Sequence, residues 1–343
     1  MKTLEAKIKF TAPAFLGNAE QSGQWRTPPF KALLRSWWRV AYSSSHKWPS
    51  DVSGMLNAER ELFGAAADDK SSKSKVLIRL DSWGEGKLKN WSDNLASIAH
   101  KPSLLKHDET NGKRVDAALY LGYGPLTFSK GAAVLKANAA IQAGESNRLR
   151  LGFPTENELE LKTAVALAHQ YGTCGGRSRN GWGSIELPEV LQINTRDFCR
   201  PLTDALKFEW PHCVGEDPLG PLIWTTKPEK DWASVMTQLA KFKIDLRTQF
   251  KFTSGNTNQP ETRHYISYPV TNHVVSSWDK KFRLPNSLRF KLRTEGDKCV
   301  GVIFHMPCKP PIVSSDSGQL LDMWQKIHAY LDQQKDTLNR SLL

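Results

Sequence analysis

Apolar and polar residues alternate over residues 4–10, which is typical of a half-buried β-strand. Residues 27–41 change to a helical spacing, with Thr27 as a possible N-cap and Pro28 in the first turn. The pattern predicts a second helix at 157–171, ended by Gly172 as a C-cap. It predicts further strands at 75–80, around 119–123, at 147–153 and at 184–193. This order fits a ferredoxin-like βαββαβ unit, which is also RRM-like, enlarged by insertions.

A second set of elements begins near residue 197. It comprises apolar runs at 206–210 and 221–225, a helix at 231–250, a hairpin of 288–293 with 299–306, and a final amphipathic helix at 319–331. The chain of 343 residues is long enough for two cores. We therefore predict an α+β protein with two domains, residues 1–195 and 196–343. The polar segments 64–75 and 253–261 are predicted to be loops that order on a partner.

The charge balance indicates the class of partner. The sequence has 47 Lys and Arg against 35 Asp and Glu, a formal net charge of +12, and such a field attracts polyanions. No apolar run approaches the ~20 residues of a membrane-spanning helix, and the N-terminus has no signal-peptide core. These features favour a cytoplasmic protein that binds nucleic acid and no membrane.

The five cysteines include no Cys-x-x-Cys pair, which argues against a disulfide framework and against a zinc site. His305 with Cys308, and His212 beside Cys213, have no second pair at metal-ligand spacing. We therefore predict reduced thiols, no structural metal and no cofactor.

Residues 172–184 form a glycine-rich loop directly after a predicted helix. Its glycines permit positive φ and close approach of the backbone to a ligand, and its N–H groups are suited to anions. It ends in no Gly-Lys-Ser/Thr and contains no Gly-x-Gly-x-x-Gly, so a mononucleotide site is disfavoured. Trp182 either stacks on a base or anchors the loop in the core, with the core favoured. The candidate RNA-binding residues here are Gly175, Gly176, Arg177, Ser178, Arg179, Asn180, Gly181, Trp182 and Gly183.

A basic stripe lies on the predicted first helix. The i, i+4, i+8 spacing aligns Lys31, Arg35 and Arg39 beside the apolar face, and Arg26 precedes them. No acidic residue occurs between positions 21 and 50, so the segment itself does not neutralise the stripe. These four cations are predicted to contact RNA phosphates. The alternative is a solvated basic face.

These segments resemble a known family. Residues 10–21, the run from Arg26 to Arg39, and 59–64 are similar to the first RAMP subunit of Cmr-type (type III-B) CRISPR effector complexes. The glycine-rich loop is similar to the loop that defines the RAMP superfamily, and residues 283–290 are more weakly similar to the family's second-domain motif. The resemblance is specific over about residues 1–85 and 172–185.

The resemblance implies two ferredoxin-like RAMP domains, with insertions, that hold guide RNA without cutting it. In this family the subunit caps the end of the filament where the 3′ part of the CRISPR RNA lies, and it helps to capture target RNA. The expected partners are therefore CRISPR RNA, target RNA and other RAMP subunits of the Cmr complex, and the expected role is antiviral defence without catalysis.

A RAMP endoribonuclease that cuts CRISPR RNA or target RNA is the alternative. Metal-independent RNA cleavage needs a base and an acid. His46, His264 and His273 lie in basic or aromatic stretches, but no pair among the nine histidines has a spacing that places both at one site. Asp81, close to Trp83, is the best single carboxylate. A third interpretation is a solitary RNA chaperone.

Overall fold

The computed structural model describes residues 1–48, 52–66, 71–96, 104–106, 114–253, 255–279, 281–310 and 317–341. These residues form helices packed against mostly antiparallel sheets, which confirms the α+β class. Parts of both polar segments predicted to be loops, around residues 64–75 and 253–261, lie outside the described residues.

The elements of the N-terminal half follow one another as a strand, two helices, a strand, an insertion, and a final strand–helix–strand. In chain order they are β1 (Lys2–Phe10), α1 (Thr27–Ser45), α2 (Ser53–Phe63), β2 (Leu77–Leu80), α3 (Trp91–Ala96), β3 (Leu104–Lys106), β4 (Arg114–Asp116), α4 (Ala117–Gly122), β5 (Leu126–Ser129), β6 (Ala132–Leu135), β7 (Ser146–Phe153), α5 (Glu158–Tyr171) and β8 (Ile185–Glu186).

The C-terminal half contains a small three-stranded sheet followed by a longer strand–helix–hairpin–helix–strand unit. Its elements are β9 (Cys199–Pro201), α6 (Leu202–Ala205), β10 (Val214–Asp217), β11 (Gly220–Pro221), β12 (Ile223–Thr226), α7 (Trp232–Gln249), α8 (Thr262–Ile266), β13 (Leu288–Glu295), β14 (Lys298–His305), α9 (Ser317–Gln333) and β15 (Leu338–Arg340).

Two four-stranded sheets have the same connectivity. The first has the order β2-β7-β1-β8 and the second β13-β14-β12-β15, and all neighbouring strands are antiparallel. In both, the first strand of the unit lies between its third and fourth strands, because helices carry the chain across the sheet. Ala6, Ile8 and Phe10 of β1 face the core, while the alternate residues are exposed.

Helix α1 begins one residue earlier than the predicted cap at Thr27 would place it. Thr27 is its first residue, the extended Arg26 is the N-cap without a side-chain cap bond, and proline occupies the first turn. Its apolar stripe packs against α5, and Trp37 and Trp38 are almost fully buried. The helix therefore covers the first sheet as its hydrophobic period predicts.

Two strand predictions are wrong. Residues around 119–123 belong to α4, because the Asp116 carboxylate accepts a hydrogen bond from the Leu119 N–H at 2.8 Å and starts a helix there. The predicted strand 184–193 is reduced to the two residues of β8. At the end of α5, the Gly172 N–H donates to the Ala168 carbonyl at 2.8 Å, so the helix stops where predicted.

The two halves of the chain share their cores. Trp182 packs against Trp91 and Trp232, and Phe304 packs against Trp37 and Tyr171. Both hydrophobic clusters contain residues from either side of position 195. The predicted boundary at 195 stays a prediction.

Candidate nucleic-acid interface

The glycine-rich loop borders a large open cleft between the two halves. The cleft has a volume of about 1070 Å³, and its other walls are α1, α4, α7 and the segment from residue 266 to 290. A space of this size exceeds what one small molecule needs and is wide enough for several nucleotides of a single strand. The fold thus brings the loop to a groove.

Six cations line this cleft, and no Asp or Glu is among the described residues of its lining. Four come from the glycine-rich loop and α7, and the other two come from the segment between residues 283 and 289. Such a groove concentrates positive potential because its low-dielectric walls focus the field. The cations are Arg177, Arg179, Lys243, Arg247, Arg283 and Arg289.

The loop glycines are required by contacts within the protein. Gly175, Gly181 and Gly183 have positive φ. A Cβ on Gly175 would lie 2.8 Å from the Phe15 carbonyl oxygen, and one on Gly183 would overlap the Cys174 carbonyl oxygen. Gly176 has ordinary φ and contacts Phe15 and Pro125. These glycines therefore shape the loop, and their predicted approach to the RNA backbone stays a prediction.

The polar side chains of the loop are fixed to α4 and α7. Arg177 has φ of 56° and donates from Nε to the Tyr123 carbonyl at 2.6 Å. Asn180 donates to the Leu121 carbonyl at 2.7 Å and accepts from the Lys243 ammonium. Because these bonds hold the backbone of the loop, the exposed Arg177 guanidinium is oriented at the mouth of the cleft.

Trp182 is an anchor of the core. Its ring is fully buried, with ring centroids 5.2 Å from Phe15, 5.7 Å from Trp91 and 5.8 Å from Trp232. No face of the indole is open to a base. Of the two interpretations of this residue, the stacking platform is therefore wrong and the core anchor is correct.

Two cations of the basic stripe of α1 are ion-paired with one residue from α2. Arg35 and Arg39 both bind the fully buried carboxylate of Glu59, with Arg35 Nε to Oε1 at 2.8 Å and Arg39 Nη2 to Oε1 at 2.9 Å. Burial raises the pKa of Glu59, but the hydrogen bonds and charges of Arg39 and Arg35 outweigh this and hold it below its ordinary value. An acid from a different segment thus pairs with two of the stripe cations, and the predicted contact of the stripe with RNA phosphates stays a prediction.

The cleft-facing side of α1 differs from the basic stripe. Pro29, Ala32, Leu33 and Ser36 line the cleft, so α1 contributes a smooth and mostly apolar wall. Arg26 donates to the Gly17 carbonyl. Burial, and then the charge of Arg35, lower the pKa of Lys31. None of the four predicted stripe cations lies in the described lining of the cleft.

The sequence did not identify four of the cleft cations as site residues: Lys243, Arg247, Arg283 and Arg289. Arg247 donates to the Tyr120 hydroxyl at 2.8 Å, and Arg289 precedes Phe290, which pairs with Asn180 of the glycine-rich loop. The signal for Arg283 and Arg289 was the run 283–290, which indicated only a resemblance to the family's second-domain motif. Helical spacing places Lys243 and Arg247 on one side of α7, but the sequence does not say which side faces a groove.

Of the residues considered for RNA cleavage, only His264 and His273 lie together, with His264 Nε2 3.3 Å from the His273 carbonyl oxygen and both rings against Phe252. Asp81 is ion-paired with Arg150. His264 is fully buried as part of a capping box, and burial lowers its pKa. His273 stacks on Phe252 with ring centroids 3.9 Å apart, and His46 stacks on Tyr42 at the same distance. Among the described residues, no group of three or more His, Cys, Asp or Glu could hold a metal ion.

A buried polar set that the sequence did not reveal lies behind the cleft. Ser287 Oγ is 2.9 Å from His305 Nε2, and His305 Nδ1 is 3.1 Å from His328 Nε2. Burial lowers the pKa of both rings, to about 3 for His328. Both histidines are almost completely buried and therefore neutral core residues at physiological pH.

The remaining predictions concern reduced cysteines and membrane-spanning helices. All five thiols are free, and Cys174, Cys199 and Cys213 are buried. Burial raises the pKa of Cys174 and Cys199 to about 12. Over the part of the chain that the structure describes, no helix is long and apolar enough to cross a membrane.

Comparison with known proteins gives matches among solved structures only: no family model and no curated protein matches the chain. The chain is similar to Cmr1 from Pyrococcus furiosus in its apo form, with 15% identity, a TM-score of 0.44 and 93% coverage of each chain. It is also similar to a chain of the type III-B Cmr-beta bound to cognate target RNA, with 11% identity, a TM-score of 0.48, and coverage of 95% of this chain and 98% of that one.

A second structure of the type III-B Cmr-beta, bound to cognate target RNA and AMPPnP in the presence of ssDNA, gives 11% identity, a TM-score of 0.47 and the same coverage. These matches, to Cmr1 and to chains of Cmr-beta, agree with the resemblance found in the sequence motifs. Because identity is below 25% and the TM-scores are below 0.5, the role of the chain has to be argued from its own residues.

Proposed function

We propose that this chain is a non-catalytic RNA-binding subunit of a type III-B CRISPR ribonucleoprotein. The observation that carries the proposal is the cleft, in which six cations and no described acid surround a fixed glycine-rich loop. RNA phosphates supply the negative charge that such a groove lacks. The type of complex follows from the motif resemblance in residues 1–85 and 172–185.

In this proposal both sheet units are ferredoxin-like RAMP domains, and the shared strand order supports this. The residues of the cleft, and not those of the α1 stripe, make the phosphate contacts in this proposal. Arg177, Arg179 and Arg283 bind the backbone there, and Tyr123, which is exposed and lines the cleft, offers a ring for base stacking. The partners are CRISPR RNA, target RNA and other Cmr subunits, in the cytoplasm.

Titration of a labelled single-stranded RNA with the purified chain at several salt concentrations tests the binding. If four to six cations engage phosphates, the slope of log K against log salt is roughly −3 to −4, at about 0.7 per contact. The double variant R177Q/R283Q should lower the slope by about 1.4 and weaken binding for all sequences. A salt-independent affinity would contradict the proposal.

The stripe provides a matched control. Lys31 lies on the same helix that walls the cleft but outside the described lining, so K31A should leave the salt slope almost unchanged. If K31A lowers the slope as much as R177Q does, the RNA runs over α1 and the cleft is the wrong surface.

Incubation of labelled guide or target RNA with the chain, with and without Mg²⁺, tests the absence of catalysis. We expect intact RNA, because His264, which lies beside His273, is fully buried, and cleavage needs an acid and a base that both reach the RNA. Reproducible cleavage that disappears in D81N, H264A or H273A would favour the endoribonuclease instead. Co-purification with Cmr subunits distinguishes a complex subunit from a solitary RNA chaperone.

A further inference from the structure

Two arginines that line the cleft lie on neighbouring segments of the chain. Phe290 donates its N–H to the Arg179 carbonyl at 3.0 Å, and Asn180 and Phe290 form a parallel bridge. The preceding residues of the two segments, Arg179 and Arg289, therefore project to the same side of this pairing, and both line the cleft. Arg179 is exposed, while Arg289 is only partly accessible beneath it.

No described carboxylate compensates these two charges. The groups whose charge acts on Arg289 are Arg179 and Cys308, and burial together with Arg179 lowers the pKa of Arg289 to about 10. Burial also raises the pKa of the Cys308 thiol, so this side chain stays neutral. His305, which lies within range of the Arg289 charge, is neutral as well because burial lowers its pKa.

The guanidinium of Arg289 also has unused hydrogen-bonding capacity. Its Nε atom is buried without a hydrogen-bond partner among the described residues. A buried donor without a partner costs free energy, which adds to the cost of the uncompensated charge. Two like charges in one place favour an anion that carries more than one negative charge.

We propose that Arg179 and Arg289 form a subsite for the terminal phosphomonoester of an RNA strand lying in the cleft. An internal phosphodiester carries one negative charge, whereas a phosphomonoester carries about −1.5 to −2 at neutral pH and three acceptor oxygens. Two guanidinium forks can bind those oxygens together. A strand end also reaches the recessed Arg289 more easily than a continuous backbone, which has a nucleotide on both sides. This inference rests on the proposed function.

The test compares the affinities of one short RNA that carries a 5′-phosphate, a 3′-phosphate, or hydroxyl groups at both ends, with the label on an internal base. Near neutral pH, one of the phosphorylated forms should bind about ten-fold more tightly than the hydroxyl form. At about pH 5 the preference should shrink, because the second pKa of a phosphomonoester is about 6.

Variants assign the preference to the two arginines. R179Q should abolish the preference for the phosphorylated end, and it should fold because Arg179 is exposed. R289K, which keeps the charge but loses the planar fork, should reduce the preference. R177Q is the matched control: its residue lines the same cleft, so it should weaken all three RNAs alike and keep the preference.

The outcomes separate this inference from the proposed function. Equal affinity for all three RNAs, or a preference that survives in R179Q, overturns the subsite and leaves the cleft as an RNA groove. No binding of any RNA overturns both. Adenosine monophosphate competing as strongly as the phosphorylated RNA would identify a free nucleotide as the ligand and overturn the assignment to an RNA end.

Discussion

At the residue scale, the glycine-rich loop combines core residues and cleft-lining residues within a few positions. Trp182 and the positive-φ glycines face the protein, whereas Arg177 and Arg179 face the cleft. The alternation arises because the loop lies between the core and a groove. Some substitutions in the loop should therefore change folding stability, and others should change RNA affinity.

Trp182→Ala should lower the free energy of unfolding by about 3–5 kcal/mol, because it removes a fully buried ring from the cluster with Trp91 and Trp232. W182F should cost less, since the indole N–H has no hydrogen-bond partner among the described residues. Denaturant unfolding measures both. The control W83A removes a ring that is 59% exposed and should be nearly neutral. A stable W182A with weakened RNA binding would restore the base-stacking role.

Gly183→Ala should destabilise the fold by about 3 kcal/mol or more, because the new Cβ overlaps the Cys174 carbonyl at a positive φ. Thermal unfolding shows this without any RNA. The control is G84A, since a Cβ at Gly84 meets nothing within 4 Å. If G183A keeps its melting temperature and loses only RNA affinity, the glycine serves the ligand instead.

At the element scale, Glu59 joins α2 to α1. Two arginines of α1, at positions 35 and 39, converge on this one buried carboxylate. The segments that carry the family resemblance, 26–39 and 59–64, thus contact each other through these side chains. The basic stripe is mainly a helix–helix contact.

Glu59→Gln should destabilise the protein by about 1.5–3 kcal/mol at neutral pH, because charge-assisted hydrogen bonds are lost. The folded-state pKa of Glu59 lies below its ordinary value of 4.5, so its contribution is complete above pH 4.5 and is lost as pH falls through the folded-state pKa. The gap between wild type and E59Q should therefore close in acid, as chemical denaturation at several pH values would show. E61Q, on an exposed position of α2, is the control, and a gap independent of pH would contradict the ion-pair account.

At the scale of the whole molecule, a buried lysine joins the two sheet units. Lys291 of β13 is fully buried and donates from Nζ to the carbonyls of Ala168, His169 and Ile185, which belong to the other half. Two of these acceptors lie in the last turn of α5, where a cation also meets the negative end of the helix dipole. This contact lies close to the glycine-rich loop and helps to fix the cleft.

Lys291→Met should lower the free energy of unfolding by about 1–3 kcal/mol, because buried carbonyls lose their donor. Burial holds the pKa of Lys291 well below its ordinary value of 10.5, so between these two values the unfolded chain binds more protons and wild-type stability rises with pH. The advantage of wild type over K291M should therefore grow in alkaline solution. K298M, on an exposed position of β14, should show no such trend. If the stability difference between wild type and K291M does not change with pH, packing alone accounts for it.

The sequence by itself determined the elements whose signals are local. The alternation in β1, the apolar stripe of α1, Gly172 after α5 and the turn between β13 and β14 each depend on neighbours a few positions away. Through its net charge it also predicted a polyanion as the class of partner. Where two local signals competed, as at 119–123, the cap at Asp116 favoured a helix over a strand.

Only the tertiary structure decided which cations line the cleft. Arg35 and Arg39 belong to a basic stripe in the sequence, but Glu59 reaches them from another helix. The cleft draws Arg179, Lys243 and Arg289 from segments far apart in the chain. Coulomb interactions depend on distances in space and on burial, and these are known only once the two halves are packed together.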